Sequence, residues 1–187
     1  DVFFFCWDYF TKLFKNYNYY KKVEIRTFGN PVYNNFVRSN FSYRKSKSGN
    51  ILLAPSGLTG TRLEALYDLY NKLISLSFNV QIKEHRFQEY KYAVINNIPK
   101  IEGNTYQILS QNSYDIIIID YSSILLDAIF FKNPVLFFSP PGKLPEYQHN
   151  YYGNFLKNIY NLYTNLNSKE DFYKLININA QEKLFYA

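Results

Sequence analysis

Tyr114-Asp115-Ile116-Ile117-Ile118-Ile119-Asp120-Tyr121-Ser122-Ser123 is the stretch on which the fold turns. Four isoleucines in a row leave no polar face, which is the pattern of a strand covered on both sides. Branching at Cβ suits the pleated strand better than the helix. Beyond the run, two serines open a helical pattern through Leu125, Leu126, Ile129 and Phe130. Asn133-Pro134 ends that pattern, and Val135 to Phe138 reads as the next strand. A strand covered on both faces needs helices above and below it.

The rest of the second half repeats this alternation. Ile51-Leu52-Leu53-Ala54-Pro55 is a buried strand closed by proline, and Ser56 to Gly60 is a loop. Thr61 and Glu64 stand at capping-box spacing before Leu63, Leu66, Leu69, Tyr70, Leu73 and Leu76, which recur at helical intervals. Asn79 to Glu84 is another strand, ending at His85-Arg86, and Thr105 to Ser113 is a polar helix. The expected fold class is α/β, a doubly wound parallel sheet. The first fifty residues differ. Val2 to Trp7 and Lys22 to Phe28 read as strands around a helix at Tyr9 to Tyr20, with a turn at Gly29-Asn30-Pro31. Residues 39–50 are polar and basic, and a domain boundary is expected there, dividing residues 1–48 from 49–187.

Composition narrows the function classes. A hydrophobic content of 47% excludes wholesale disorder. One Cys excludes an internal disulfide framework and a Cys-based zinc site, and two His cannot make a His-rich metal centre. Cys6, in an apolar run, is expected in a core. The net charge of +6 favours anionic partners. The basic run Arg44-Lys45-Ser46-Lys47 reads as a linker rather than a nucleic-acid stripe, so nucleic acid is not expected. No apolar stretch has the roughly 20 residues needed to span a bilayer. A cytosolic location is expected, with peripheral contact at the inner face of a membrane allowed. Residue 1 is Asp and Met is absent, so the chain is expected to be a fragment or a processed product.

In sheets of this class ligands bind outside the carboxyl ends of the strands. Four segments fall there: Ser56 to Thr61, His85-Arg86, Asp120 to Ser123, and Ser139 to Gly142. Ser122 and Ser123, at a helix start, suit a phosphate cradle, and Asp127 one turn later suits ribose hydroxyls. The same residues also suit a plain serine cap with a solvated aspartate, and the pattern alone leaves both readings standing. His85 or Arg86 could hold a phosphate, and His85 could equally satisfy a buried backbone group. Asp120 lacks the acidic pair that a phospho-acceptor site requires, because the first strand ends in Ala54-Pro55-Ser56. No Walker A loop, G-x-G-x-x-G, G-x-S-x-G elbow or Cys/His nucleophile pair is present.

The run from Tyr114 to Ser123, with Asp127 and the strand Pro134-Val135-Leu136-Phe137-Phe138, resembles the signature of the CDP-glycerol glycerophosphotransferase family. Those enzymes include teichoic-acid and capsule polymerases of GT-B fold. Ile51 to Ser56 is similar to the first strand of the family's C-terminal domain. Thr27-Phe28-Gly29-Asn30-Pro31-Val32-Tyr33 is similar to the element closing its N-terminal domain, although Asn34 stands near the family's usual Asp. Tyr151-Tyr152-Gly153 departs from the family's Arg-Gly-x-Tyr. The resemblance implies the Rossmann-like C-terminal half of a GT-B glycosyltransferase, binding a nucleotide-activated donor such as CDP-glycerol or an NDP-sugar. It implies a cell-surface polymer, anionic or lipid-linked, as acceptor. His85 would take the catalytic role on the substrate phosphate. Ser56, Thr61, Arg62, Arg86, Ser122, Ser123 and Asp127 would bind the donor, with Arg62 replacing at longer spacing an Arg after the first-strand turn. No metal and no further cofactor is expected. The residues before position 50 are too few for a first GT-B domain, which in the family supplies a catalytic base, so the chain alone is not expected to turn over. A UDP-sugar 2-epimerase-like enzyme shares the layout, and a non-catalytic GT-B-derived interaction module is a further alternative.

Overall fold

The computed structural model describes residues 2–5, 24–27, 42–43, 47–55, 60–84, 97–111, 113–120, 124–140, 158–178 and 181, the first two of these segments by their backbone. The chain divides into two compact units, Asp1–Asn40 with Glu182–Ala187, and Phe41–Gln181. In the first, β1 (Val2–Phe5) pairs in parallel with β2 (Glu24–Thr27), Val2 opposite Glu24 and Phe5 opposite Thr27. Cys6, the expected helix at Tyr9 to Tyr20 and the Gly29-Asn30-Pro31 turn lie outside the described residues.

The second unit is built on a parallel sheet. Its strands are β3 (Asn50–Ala54), β4 (Asn79–Ile82), β5 (Ile116–Ile119) and β6 (Val135–Phe137), in the order β4-β3-β5-β6. Helix α1 (Thr61–Ser75) joins β3 to β4, α2 (Thr105–Ser110) precedes β5, and α3 (Ile124–Phe130) joins β5 to β6. Single parallel bridges, Ile82 with Lys100 and Phe137 with Asn158, extend the sheet by one position at each edge. Counting those positions, the sequence of strands is the Rossmann order 3-2-1-4-5-6. The α/β doubly wound class expected from the sequence is the observed one.

Alternation along each strand sends side chains to both faces. Ile51, Leu53, Val80, Ile82, Ile116, Ile118, Leu136 and Phe138 share one core with Leu63, Leu66, Leu69 and Leu73 of α1. Leu52, Ala54, Ile117, Ile119, Val135 and Phe137 are equally buried but lie outside that cluster. On that side α3 packs on β5 and β6, and α2 packs on α3. Each isoleucine of β5 is at most 2% exposed. Such burial contributes roughly 1.5–3 kcal/mol per side chain, which is why the run without polar alternation is stable only in the centre of the sheet.

Several boundaries differ from the sequence expectation. Thr61 is the first helical residue of α1 rather than its cap. Gly60 is the N-cap, its carbonyl accepting from Leu63 N–H at 2.9 Å and Glu64 N–H at 3.2 Å. Helix α2 stops at Ser110, and its cap is Asn104, whose side chain accepts from Tyr106 N–H at 2.9 Å. Two elements had no sequence forecast, a 3₁₀ turn at Tyr163–Asn165 and helix α4 (Lys169–Tyr173). Ser168 caps α4 by accepting from Asp171 N–H at 3.1 Å, and Phe172 is fully buried.

Candidate functional site

Strands β3 and β5 are neighbours, with Ala54 opposite Ile119 at their carboxyl ends. From these ends the chain departs to helices on opposite faces of the sheet, α1 from β3 and α3 from β5. That reversal is the topological switch point, where a doubly wound sheet leaves a crevice. Strand order therefore gives the candidate location before any side chain is considered.

Helix α1 begins at this crevice. Its N-cap Gly60 has φ 56°, and no side chain caps the helix. A Cβ at Gly60 would meet nothing within 4 Å, so glycine serves the left-handed backbone there and not a close approach. The positive end of this helix of 15 residues thus lies on the carboxyl side of the sheet, and its N-cap Gly60 provides no side-chain cap. Thr61 is exposed at the same end.

Arg62, in the first turn of α1, supplies the strongest chemical signal. Its Nε and Nη2 are buried and have no hydrogen-bond partner. These two nitrogens form one edge of the planar guanidinium, with their N–H bonds nearly parallel, the edge that meets a phosphate or carboxylate through two bonds. Leaving such donors buried and unpaired costs about 1–3 kcal/mol. An anion with two oxygens would remove that cost.

Across the crevice, Asp120 closes β5 and is 3% exposed, and Asp127 is half-buried on α3. Neither is without a partner. Of the residues named from the sequence, Thr61 and Arg62 stand at the α1 side of the switch point and Asp127 on the helix that leaves its β5 side. Ser56, His85, Arg86, Ser122 and Ser123 lie outside the described residues. Beside β4, Glu84 pairs with Lys100 at 2.8 Å. Among the described residues no group of three or more His, Cys, Asp or Glu is placed to hold a metal ion.

A second polar cluster sits at the opposite edge, at the amino ends of the strands. Asp115 is 5% exposed and accepts from Tyr173 Oη at 2.6 Å, Gly49 N–H at 2.5 Å and Ser48 Oγ at 2.9 Å. Burial alone would raise the Asp115 carboxyl, but these bonds outweigh it and hold it below its ordinary value. Burial and the Asp115 carboxylate push the Tyr173 hydroxyl well above its ordinary value. Every oxygen here is engaged within the fold, so the cluster fastens the segment entering β3 to β5 and α4. In the sequence Asp115 stands out only as part of the run Tyr114 to Ser123. Its partners lie 58, 66 and 67 positions away, and no local pattern announces them.

No protein-family model matches the chain, and no curated protein matches it. Among solved structures, homoserine dehydrogenase of S. aureus at pH 7.0 is similar over 55% of this chain and 28% of its own, with 18% identity and a TM-score of 0.35. Structures of the same enzyme at pH 6.0 and pH 6.5 are similar over 48% of this chain and 25% of theirs, with 19% identity and a TM-score of 0.34. The chain thus spans about a quarter of the length of those solved structures.

Proposed function

We propose that this chain is the donor-binding part of a transferase of GT-B type. The transferase moves a glycerol-phosphate, polyol-phosphate or sugar unit from a nucleotide-activated donor onto a cell-surface polymer, teichoic-acid-like or capsular. The observation that carries the reading is the unpaired Nε/Nη2 edge of Arg62, a residue in the first turn of α1, the helix that follows β3. A buried, unpaired guanidinium edge on a residue of a helix's first turn suits a multiply charged anion, and the donor's diphosphate is one. The resemblance of Tyr114 to Ser123 and Asp127 to the glycerophosphotransferase signature supplies the donor class.

In this reading Arg62 binds one phosphate through both nitrogens, and the N–H and hydroxyl groups at Ser122 and Ser123 receive the other. Asp127 accepts from the ribose hydroxyls. His85 and Arg86 neutralise charge as the leaving phosphate separates. Ser56 and Thr61 line the approach beside Arg62. The acceptor is an anionic or lipid-linked polymer, which a chain of net charge +6 attracts. Contact with a lipid-linked acceptor is read as peripheral; among the described residues no helix is long and apolar enough to cross a membrane.

Calorimetric titration of the full chain with CDP-glycerol, CDP, UDP-sugars and GDP-sugars tests the proposal. Binding of at least one nucleotide diphosphate is expected, with Ser123→Ala and Asp127→Ala each weakening it about tenfold, the loss of one charge-assisted hydrogen bond. Absence of binding by every nucleotide overturns the donor assignment and favours an interaction module. UDP preference with epimerised product and no acceptor requirement favours the epimerase reading.

A further inference from the structure

We infer that Asn158 and Gln181 are a two-point latch that closes the outer side of β6, on either side of the Phe137–Asn158 bridge, against strand addition by a second copy of this chain. In β6 the groups of Pro134, Leu136 and Phe138 face β5, as shown by Ile117 N–H donating to Pro134 O and Phe138 N–H donating to Ile119 O, both at 2.8 Å. Val135, Phe137 and Ser139 therefore face outward with their backbone groups. An edge strand in this state offers a ready row of donors and acceptors to another chain.

Each outward position is occupied from within. At Val135, Gln181 Oε1 accepts from the N–H at 3.0 Å and Gln181 Nε2 donates to the carbonyl at 2.7 Å. At Ser139, Asn158 Oδ1 accepts from the N–H at 3.0 Å and Asn158 Nδ2 donates to the carbonyl at 3.1 Å. Between them Ile159 N–H donates to Phe137 O at 2.8 Å. A carboxamide carries one donor side and one acceptor side like the peptide group, so each amide stands in for one residue of a missing strand. Both are held in place: Gln181 N–H donates to Asn177 O at 3.2 Å, and Asn158 Oδ1 also accepts from Tyr160 N–H at 3.1 Å. Gln181 is 2% exposed, so the latch is built into the fold. Because β6 is apolar and 0–2% exposed throughout, the uncovered edge would be flat and sticky. A charge or proline that could protect it is absent from Val135 to Ser139.

Hydrogen exchange and sedimentation of the full chain test this. Gln181→Ala is expected to speed exchange of the Val135 amide about tenfold while the Ser139 amide stays protected, and Asn158→Ala is expected to do the reverse. Amides of Ile116 to Ile119 stay protected in both, which separates latch release from global unfolding. The double variant is expected to sediment with a concentration-dependent mass above that of the unmodified chain. Unchanged exchange at Val135 in Gln181→Ala, or a double variant with the mass of the unmodified chain at all concentrations, overturns the inference. If the double variant fails to fold, the two single variants still decide it through exchange.

Discussion

Arg62 links stability and binding at a single side chain. Its buried Nε and Nη2 cost free energy in the unliganded chain, a cost that the proposed binding of an anion would remove. Arg62→Met keeps the aliphatic stem and removes the unpaired donors. The unliganded variant is expected to unfold at the same or higher denaturant concentration, by up to about 1 kcal/mol, while nucleotide diphosphate affinity falls about tenfold to a hundredfold. Loss of stability without loss of affinity would show that the guanidinium has an internal role instead. The sequence pointed to Arg62 only through resemblance, because an arginine two residues after a glycine has many uses. That its Nε/Nη2 edge is buried and idle is a property of the packed helix start.

At the scale of elements, the two helix exits are instructive. Helix α1 ends with Ser77 at φ 63°, where Ser77 N–H donates to Ile74 O at 2.8 Å and Phe78 N–H to Leu73 O at 3.1 Å. Helix α3 ends the same way at Lys132, φ 57°, with Lys132 N–H bonded to Ile129 O and Asn133 N–H to Ala128 O, both at 2.9 Å. Both are Schellman motifs with a non-glycine residue in the left-handed position. Ser77→Gly is therefore expected to stabilise the chain by about 1 kcal/mol, read as a higher midpoint in urea with an unchanged slope. The helices themselves were legible from the spacing of their leucines and isoleucines. Their exits were less so, because the usual glycine is missing at both. Helix α4 escaped the sequence reading for a related reason: five residues carry a single buried aromatic, too little for a period to show.

For the whole molecule, the two edges of the sheet divide the work. The carboxyl edge holds the candidate site, and the amino edge is fastened by Asp115, Tyr173, Gly49 and Ser48. The fastening sets a pH window. The folded state lowers the Asp115 carboxyl, so below about pH 4 the unfolded chain binds the proton more readily and stability falls. The folded state raises the Tyr173 hydroxyl, so above about pH 10 the unfolded chain releases its proton first and stability falls again. Asp115→Asn is expected to cost about 2 kcal/mol at neutral pH and to flatten the acid limb, and Tyr173→Phe to flatten the alkaline limb. Melting curves from pH 3 to pH 11 check both limbs. By itself the sequence determined the β–α alternation of residues 50–138 and the burial of Ile116 to Ile119 on both faces, because burial and period are written in consecutive side chains. It also marked the strand ends at which a candidate ligand site is expected. Only the tertiary structure decided the order β4-β3-β5-β6, the amide closure of the outer edge, the partners of Asp115 and the unpaired edge of Arg62. These depend on groups brought together from positions far apart in the chain, and such pairings leave no local trace to read.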